Sequence, residues 1–571
     1  MVSLAPEWAP DSLSTLVPLG PSIVAWGNDP MFQGMSASYW TDTVKGYGQI
    51  GVDRVALNIF MLSASAKELS THPELQRAVV LDIAGEKVVP PWLTETANGV
   101  PSYWGCTNNP IFRAHLDHRI ELSSGAAGAL LHIDDHLGTA ASMNFGGCFC
   151  EHCMRGFRSW LKANRTVSQL AGLSVDSVDT FDYAARVRNV GITTRVAYIS
   201  TLHYESLPLA KEFLAFQRDA IFSVIHHLRN KAAAVWGREV ALGVNAWNMS
   251  ASQLADAHLV DYFANEIEHI GKEDLQPPFS YLLGTALGRP IFSTASGGDW
   301  VVIKKTNAVK RVQAWLAQAY AFGHSFMYAY RKWGYSTESG TIWYDTPIAT
   351  YLPVAELLHQ APSLFDGLEP IRSVAVLYDA ATEERGKSQA MKVVAALHGA
   401  KIPVSLVVAG NPTLRRTLTA SDLAPYTRIL LAQPLSPSLS ADQKALLDAA
   451  RTAGKLVDWT SLADFTAAYS TPVGITGTNG VWALPRKAEA ADAPLVVHLL
   501  NRDYDATSDT FAPKSAFVLK VQSTLLGHAP KLAASYHAPG QASQSVAVTA
   551  QAQWIFVTIP SLDYWAIVSI E

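Results

Sequence analysis

Short apolar runs alternate with longer amphipathic stretches over the first two-thirds of the chain. The runs Ser22–Trp26, Arg54–Phe60, Lys87–Val89, Ala129–Ile133, Val240–Val244, Tyr262–Ala264, Pro290–Ser293 and Ser325–Tyr328 each have the length and β-branched or aromatic content of a buried strand. Runs such as Phe213–Ala234 and Val309–Ala321 place apolar residues at helical spacing between them. Eight strands alternating with helices predict an α/β fold, a (β/α)8 TIM barrel with long loops, over residues 1–368. An open doubly wound sheet usually announces a glycine-rich phosphate loop after its first strand, and Trp26-Gly27-Asn28-Asp29 is not one.

The pattern changes near Pro370. Ser373–Tyr378, Val404–Val408, Arg428–Ala432 and Lys455–Trp459 read as strands separated by helices, the rhythm of a small flavodoxin-like α/β domain over 369–470. Leu495–Leu500, Ala516–Lys520, Ser543–Val548 and Trp554–Thr558 then follow one another with turn residues between them, which predicts a β-sandwich over 471–571.

Composition adds bounds. With 16% charged and 49% hydrophobic residues, the 571-residue chain suits large domains with deep cores. A net charge of −5 gives nucleic acid no basic footprint. No uninterrupted apolar run long enough for a membrane helix occurs, so no membrane partner is expected. The start Met1–Trp8 lacks the basic and apolar segments of a secretory signal, which points to the cytoplasm unless a signal has been trimmed away. An α/β domain without an evident site suggests a homo-oligomer, a dimer or a trimer.

All four cysteines fall into one pattern, Cys106 followed by Cys148-Phe149-Cys150-Glu151-His152-Cys153. Such spacing suits four thiolates around one tetrahedral Zn²⁺, and a closed four-sulfur site makes the metal structural. The plainer reading is four reduced thiols in a core. No organic cofactor is indicated.

In a barrel, catalytic groups come from the C-terminal ends of the strands. That rule selects Trp26, Asn28 and Asp29 after the first strand, Asn58 after the second, and Trp92 and Glu95 after the third. It selects Asp134, Asp135 and His136 after the fourth, Asn245 and Trp247 after the fifth, and Asn265, Glu266, Glu268 and His269 after the sixth. Ser296, Asp299 and Trp300 follow the seventh, and Tyr328, Tyr330, Arg331 and Trp333 the eighth. Carboxylates, amides and indoles together suit a carbohydrate, and glycoside cleavage needs an acid with a carboxylate opposite it. Adjacent carboxylates split their pKa values and a histidine titrates near neutrality, so His136 or Asp135 is the expected proton donor, with Asp134 a further catalytic candidate. Asp29 or Glu266 is the expected base or nucleophile. Trp26, Trp92, Trp247, Trp300 and Trp333 are candidate sugar platforms. Asn28, Asn58, Asn245, Asp299, Tyr328 and Arg331 are candidate polar or flanking contacts.

The segments Cys106–Arg113, Gly128–Gly138 and Cys148–Phe157 resemble the barrel of glycoside hydrolase family 42, the β-galactosidases. Val497-His498-Leu499-Leu500-Asn501-Arg502-Asp503-Tyr504 resembles the start of that family's last domain. The resemblance implies zinc on the four cysteines and the order barrel, α/β trimerisation-type domain, β-sandwich. The family's Asp-Asn-Glu-Tyr-Gly stands here as Asp134-Asp135-His136-Leu137-Gly138, so a histidine takes the place of the acid/base glutamate and Asp135 that of the asparagine gripping the 2-hydroxyl. A similar three-domain build belongs to the barrel-type sialidases of glycoside hydrolase family 156. That likeness implies inverting hydrolysis by an aspartate and a histidine, here Asp29 and His136, with Arg331 to clamp the sialic acid carboxylate. The expectation is an exo-acting glycosidase on an oligosaccharide or glycoconjugate, inverting in preference. An exo-sialidase is the alternative, and an inactive carbohydrate-binding barrel or a hydrolase using zinc at the mouth are rivals of other kinds.

Overall fold

The computed structural model describes residues 1–4, 13–29, 36–61, 63–201, 207–328, 330–380, 382, 389–410 and 414–571, without the side chains of Asn28 and Ser63. Eight strands close into a barrel: β1 (Ser3–Leu4), β2 (Ile23–Asn28), β3 (Arg54–Phe60), β4 (Leu130–Asp134), β5 (Ala241–Val244), β6 (Tyr262–Ile267), β7 (Ile291–Ala295) and β8 (Ser325–Tyr328). Around the barrel they run β1-β8-β7-β6-β5-β4-β3-β2. The ladders β3–β4, β4–β5, β6–β7, β7–β8 and β8–β1 are parallel.

One expected strand is corrected. Lys87–Val89 is not a barrel strand; Lys87 forms an isolated bridge to Leu81, inside the long excursion between β3 and the helix Pro110–Glu121. The barrel is completed instead by Ser3–Leu4, which pairs with Met327 and Tyr328. Two residues carry no alternation, so periodicity cannot reveal such a strand.

The chain divides into two compact units, one of Val24–Asn245 with Thr337–Thr341, the other of the remaining segments. In the first unit, Gly27 has φ 78° inside β2, and a Cβ there would lie 1.9 Å from the Ala56 carbonyl oxygen. Only glycine fits at this position, two residues before Asp29. Asn58 and His132 are in register across β3–β4 and bond side chain to side chain at 2.9 Å, both buried. His132 and Asn58 therefore share one face of the barrel wall. Side chains alternate along a strand, so Asp134 leaves on the same face.

In the second unit, Val374–Asp379, Ser405–Ala409, Arg428–Leu431 and Leu456–Asp458 form a parallel sheet in which the second strand lies outside the first, the flavodoxin-type order. A six-stranded and a four-stranded sheet follow, with Leu495, Val497, Phe517, Leu519, Ile555 and Val557 in their shared core. Among the described residues no helix is long and apolar enough to cross a membrane.

Candidate functional site

Strand β4 runs Leu130-Leu131-His132-Ile133-Asp134 and is buried up to its last residue. Asp134 is half-buried, and its Oδ1 accepts from the Asp135 amide at 2.9 Å and from Asn245 Nδ2 at 3.1 Å. Asn245 is buried at the end of β5, and its own amide donates to the Ile133 carbonyl at 3.2 Å. Asp135 takes φ 49°, the left-handed region, and remains half-exposed. Its carbonyl receives the Gly138 amide at 2.9 Å, closing a tight turn. Non-glycine residues hold this conformation at a cost of roughly 1–2 kcal/mol, which the surrounding bonds must offset. The next residue, His136, is fully buried. The strand end thus keeps two carboxylates partly accessible and buries the histidine.

Asp29 is not free to act at a mouth. It is 3% exposed, and its Oδ2 accepts from the Phe60 amide and from Arg119 Nη1, both at 3.0 Å. Arg119 lies on the helix Pro110–Glu121, donates from Nη1 to the Phe60 carbonyl at 2.7 Å, and reaches Glu68 Oε1 with Nη2 at 2.6 Å. His115, one turn earlier, donates to the same Glu68 oxygen at 2.9 Å. Glu68 Oε2 closes a capping box on the Ser65 amide at 2.7 Å. Burial alone would raise the Glu68 carboxyl; the Arg119 guanidinium and the His115 hydrogen bond outweigh it and hold the group down to about 2. Burial lowers His115 and keeps it neutral. This cluster ties together the ends of β2 and β3. Phe60 is the register partner of Asp134, so the tie extends to the carboxylates. Sequence reasoning missed it, yet a signal was present. Phe112, His115, Leu116, Arg119 and Ile120 share the buried face of one helix, and two ionisable residues on such a face demand buried partners.

Of the other expected first-unit residues, Asn58 and Trp26 are buried, Trp92 is partly buried and Glu95 is exposed. Trp26 is 5% exposed with its ring centroid 4.7 Å from that of His132. Asn28 ends β2, and its side chain lies outside the described residues. Trp92 is not at a barrel strand end; it packs edge-on to Trp104 and Phe145 at 5.8 and 5.4 Å, beside the cysteine cluster.

The four cysteines converge. The Cys106 sulfur lies 3.5, 3.6 and 3.7 Å from those of Cys150, Cys153 and Cys148, and all four ligand atoms are within 4.8 Å of one another. A tetrahedral ion with metal–sulfur bonds of about 2.3 Å separates its ligands by roughly 3.8 Å, so the donor set is compatible with a structural metal. Cys150 caps the helix Glu151–Asn164, which places Cys153 in its first turn, where the helix dipole favours thiolate. Burial pushes the Cys148 thiol well up, whereas hydrogen bonds from the other three sulfurs hold Cys150 down. Asn108 Nδ2 donates to the Cys153 sulfur at 3.3 Å. The adjoining Thr107 amide donates to Thr139 Oγ1 at 2.8 Å, so the cluster is stitched to the turn that carries Asp135.

In the second unit, Glu266 is half-buried near the end of β6. Its neighbour Asn265 is buried and accepts the Ala246 amide at 2.9 Å. Asn248 Oδ1 accepts the Glu268 amide at 2.9 Å. Asn248 and Met249 are consecutive left-handed residues, φ 54° and 51°. Trp247, between these anchors, is 47% exposed. Two expected contacts are core aromatics instead: Trp300 is fully buried and stacks on Tyr344, and Tyr328 is 1% exposed and stacks on Tyr351 with centroids 4.9 Å apart. Their long apolar surfaces are worth more to the core than to a ligand. Asp299 is also structural here; it closes a capping box with Ser296 and accepts the His269 and Ile270 amides at 2.9 Å. Arg331 is exposed, pairs with Asp345 at 3.2 Å and lies over the Trp343 ring. Trp333 stacks parallel on Tyr335.

No protein-family model matches the chain, so the likeness to family 42 rests on its motifs. The sequence is similar to an α-agarase of Alteromonas agarilytica, 22% identical over 88% of this chain, and to one of Thalassotalea agarivorans, 21% identical over 83%. The chain spans about a third of the length of these curated relatives, 36% and 33%. Among solved structures, it is similar throughout its length to α-L-fucosidase isoenzyme 2 from Paenibacillus thiaminolyticus. The TM-score is 0.65 at 12% identity, with 100% of this chain and 99% of the other covered, and this is a likeness of fold.

Proposed function

We propose that this chain is a glycoside hydrolase acting on an agar-type galactan or its oligosaccharides, with the carboxylates that end β4 at its centre. The carrying observation is the pair Asp134 and Asp135: both half-buried, one pinned by Asn245, the other in a left-handed turn at the C-terminal end of a barrel strand. Barrel enzymes place their chemistry at such ends. The similarity to two α-agarases supports the substrate class.

In this reading Asp135 is the proton donor to the leaving oxygen. Asp134 is the fixed negative neighbour that stabilises the positively charged sugar of the transition state, its orientation set by Asn245. Glu266, on the other compact unit, is tested separately through Glu266→Gln. His136, with no solvent exposure, backs the turn rather than touching sugar. A Zn²⁺ held by Cys106, Cys148, Cys150 and Cys153 would brace the loop; it supplies rigidity and takes no part in bond cleavage. Arg331 is engaged with Asp345 and Trp343, which favours a neutral sugar over a sialic acid.

The test is hydrolysis of agarose oligosaccharides and a panel of aryl glycosides, a sialoside included. Turnover that falls by about a hundredfold or more in Asp135→Asn supports the reading. Binding without turnover in the wild type would make the barrel a binding module. Product length reads exo action, and the anomer formed first, followed by proton NMR, reads inversion or retention.

A further inference from the structure

We infer that Trp247 is the stacking platform of a carbohydrate subsite, displayed by a loop built to hold it rigid; the ligand class rests on the glycoside hydrolase reading. Large apolar side chains with high exposure are few among the described residues, and Trp247 is the one aromatic among them. No ring stacks on it there. An indole left in water forfeits one of the largest hydrophobic gains a side chain can make, so its display needs a reason. Position supplies one. Trp247 follows the C-terminal end of β5, the barrel face where substrates bind.

The loop is also anchored from both sides. The amide just before Trp247 is tied to Asn265 of β6, and the side chain just after it takes the Glu268 amide. The Met249 amide closes the turn on the Ala246 carbonyl at 2.8 Å. Asn248 and Met249 both hold left-handed backbone although neither is glycine, and both are buried. Consecutive strained residues persist only where surroundings over-determine them, and such strain gathers at ligand clamps. A flat indole on a fixed loop matches the apolar face of a pyranose ring, with hydroxyls left to the polar groups of the neighbouring strand ends.

The experiment measures binding, so it stands apart from catalysis. Agarose oligosaccharides of two to eight sugars are titrated calorimetrically into the Asp135→Asn chain with and without Trp247→Ala. Affinity for the longer oligosaccharides should fall by about tenfold in the alanine variant and return in Trp247→Phe, whose ring keeps a stacking face. Melting temperatures control for folding. Unchanged affinity in Trp247→Ala overturns the subsite, as does a loss that phenylalanine fails to restore. Wild-type turnover alongside unchanged affinity would discard the platform and leave the catalytic reading standing.

Discussion

Asp29 and Asp135 show how far residue identity alone can be read. Both are aspartates just past barrel strands, and the sequence offers them as equals. The fold separates them: Asp29 is spent on Arg119 and the Phe60 amide, whereas Asp135 stays half-exposed in a turn that its own φ marks as strained. The difference comes from Arg119, 90 residues away in sequence, and no local pattern reports it. Trp300 and Tyr328 make the same point for aromatics, because strand-end position does not separate a platform from a core ring. Removing the guanidinium tests the buried cluster. Arg119→Met leaves Asp29 and Glu68 as uncompensated buried charges and should cost about 3–5 kcal/mol of unfolding free energy in denaturant titration. Adding Asp29→Asn should recover part of it, since the two residues share one bond network. A neutral effect of Arg119→Met would show that the cluster does not hold the strand ends.

At the scale of elements, seven of the eight barrel strands announce themselves by short apolar runs, because burial on both faces leaves a continuous pattern. The remaining one, Ser3–Leu4, is too short for any pattern, and Lys87–Val89 imitates a strand within a loop. The cysteine loop was legible because ligand spacing is a covalent constraint rather than a packing outcome. Its connection to the turn that carries Asp135, through Thr107 and Thr139, depends on tertiary contact and was not. We expect one equivalent of zinc per chain by elemental analysis. Cys153→Ser, or stripping by a strong chelator, should lower the melting temperature and abolish turnover together, with far-ultraviolet circular dichroism of the remaining helices largely kept. A metal-free preparation with full activity and unchanged melting would contradict the bracing role.

Across the whole molecule, acid is the predicted weakness. Three histidines are buried without charge: His324, His398 and His498, each pushed down to about 3 by burial first and by a nearby arginine second. An unfolded histidine titrates near 6.5, so between about pH 6.5 and 3 the unfolded chain binds protons that the fold refuses. Stability therefore rises with pH across that window and falls on acidification, by about 1.4 kcal/mol per pH unit for each proton taken up. Glu68, held at about 2, adds a loss of the same sign once the pH drops below the ordinary carboxylate range. Denaturant midpoints at pH 7, 5.5 and 4.5 check this, and a flat profile would contradict it. Among the described residues, the sheet of Val374–Asp379 and its neighbours shows no catalytic constellation. It stays the expected oligomerisation element, to be read by light scattering.

The most direct measurement is kcat/KM on agarose oligosaccharides for the wild-type chain and for Asp135→Asn, a change that preserves shape and removes only the acid. The account predicts a fall of at least about a hundredfold with an unaltered melting temperature. Full activity in Asp135→Asn would contradict it.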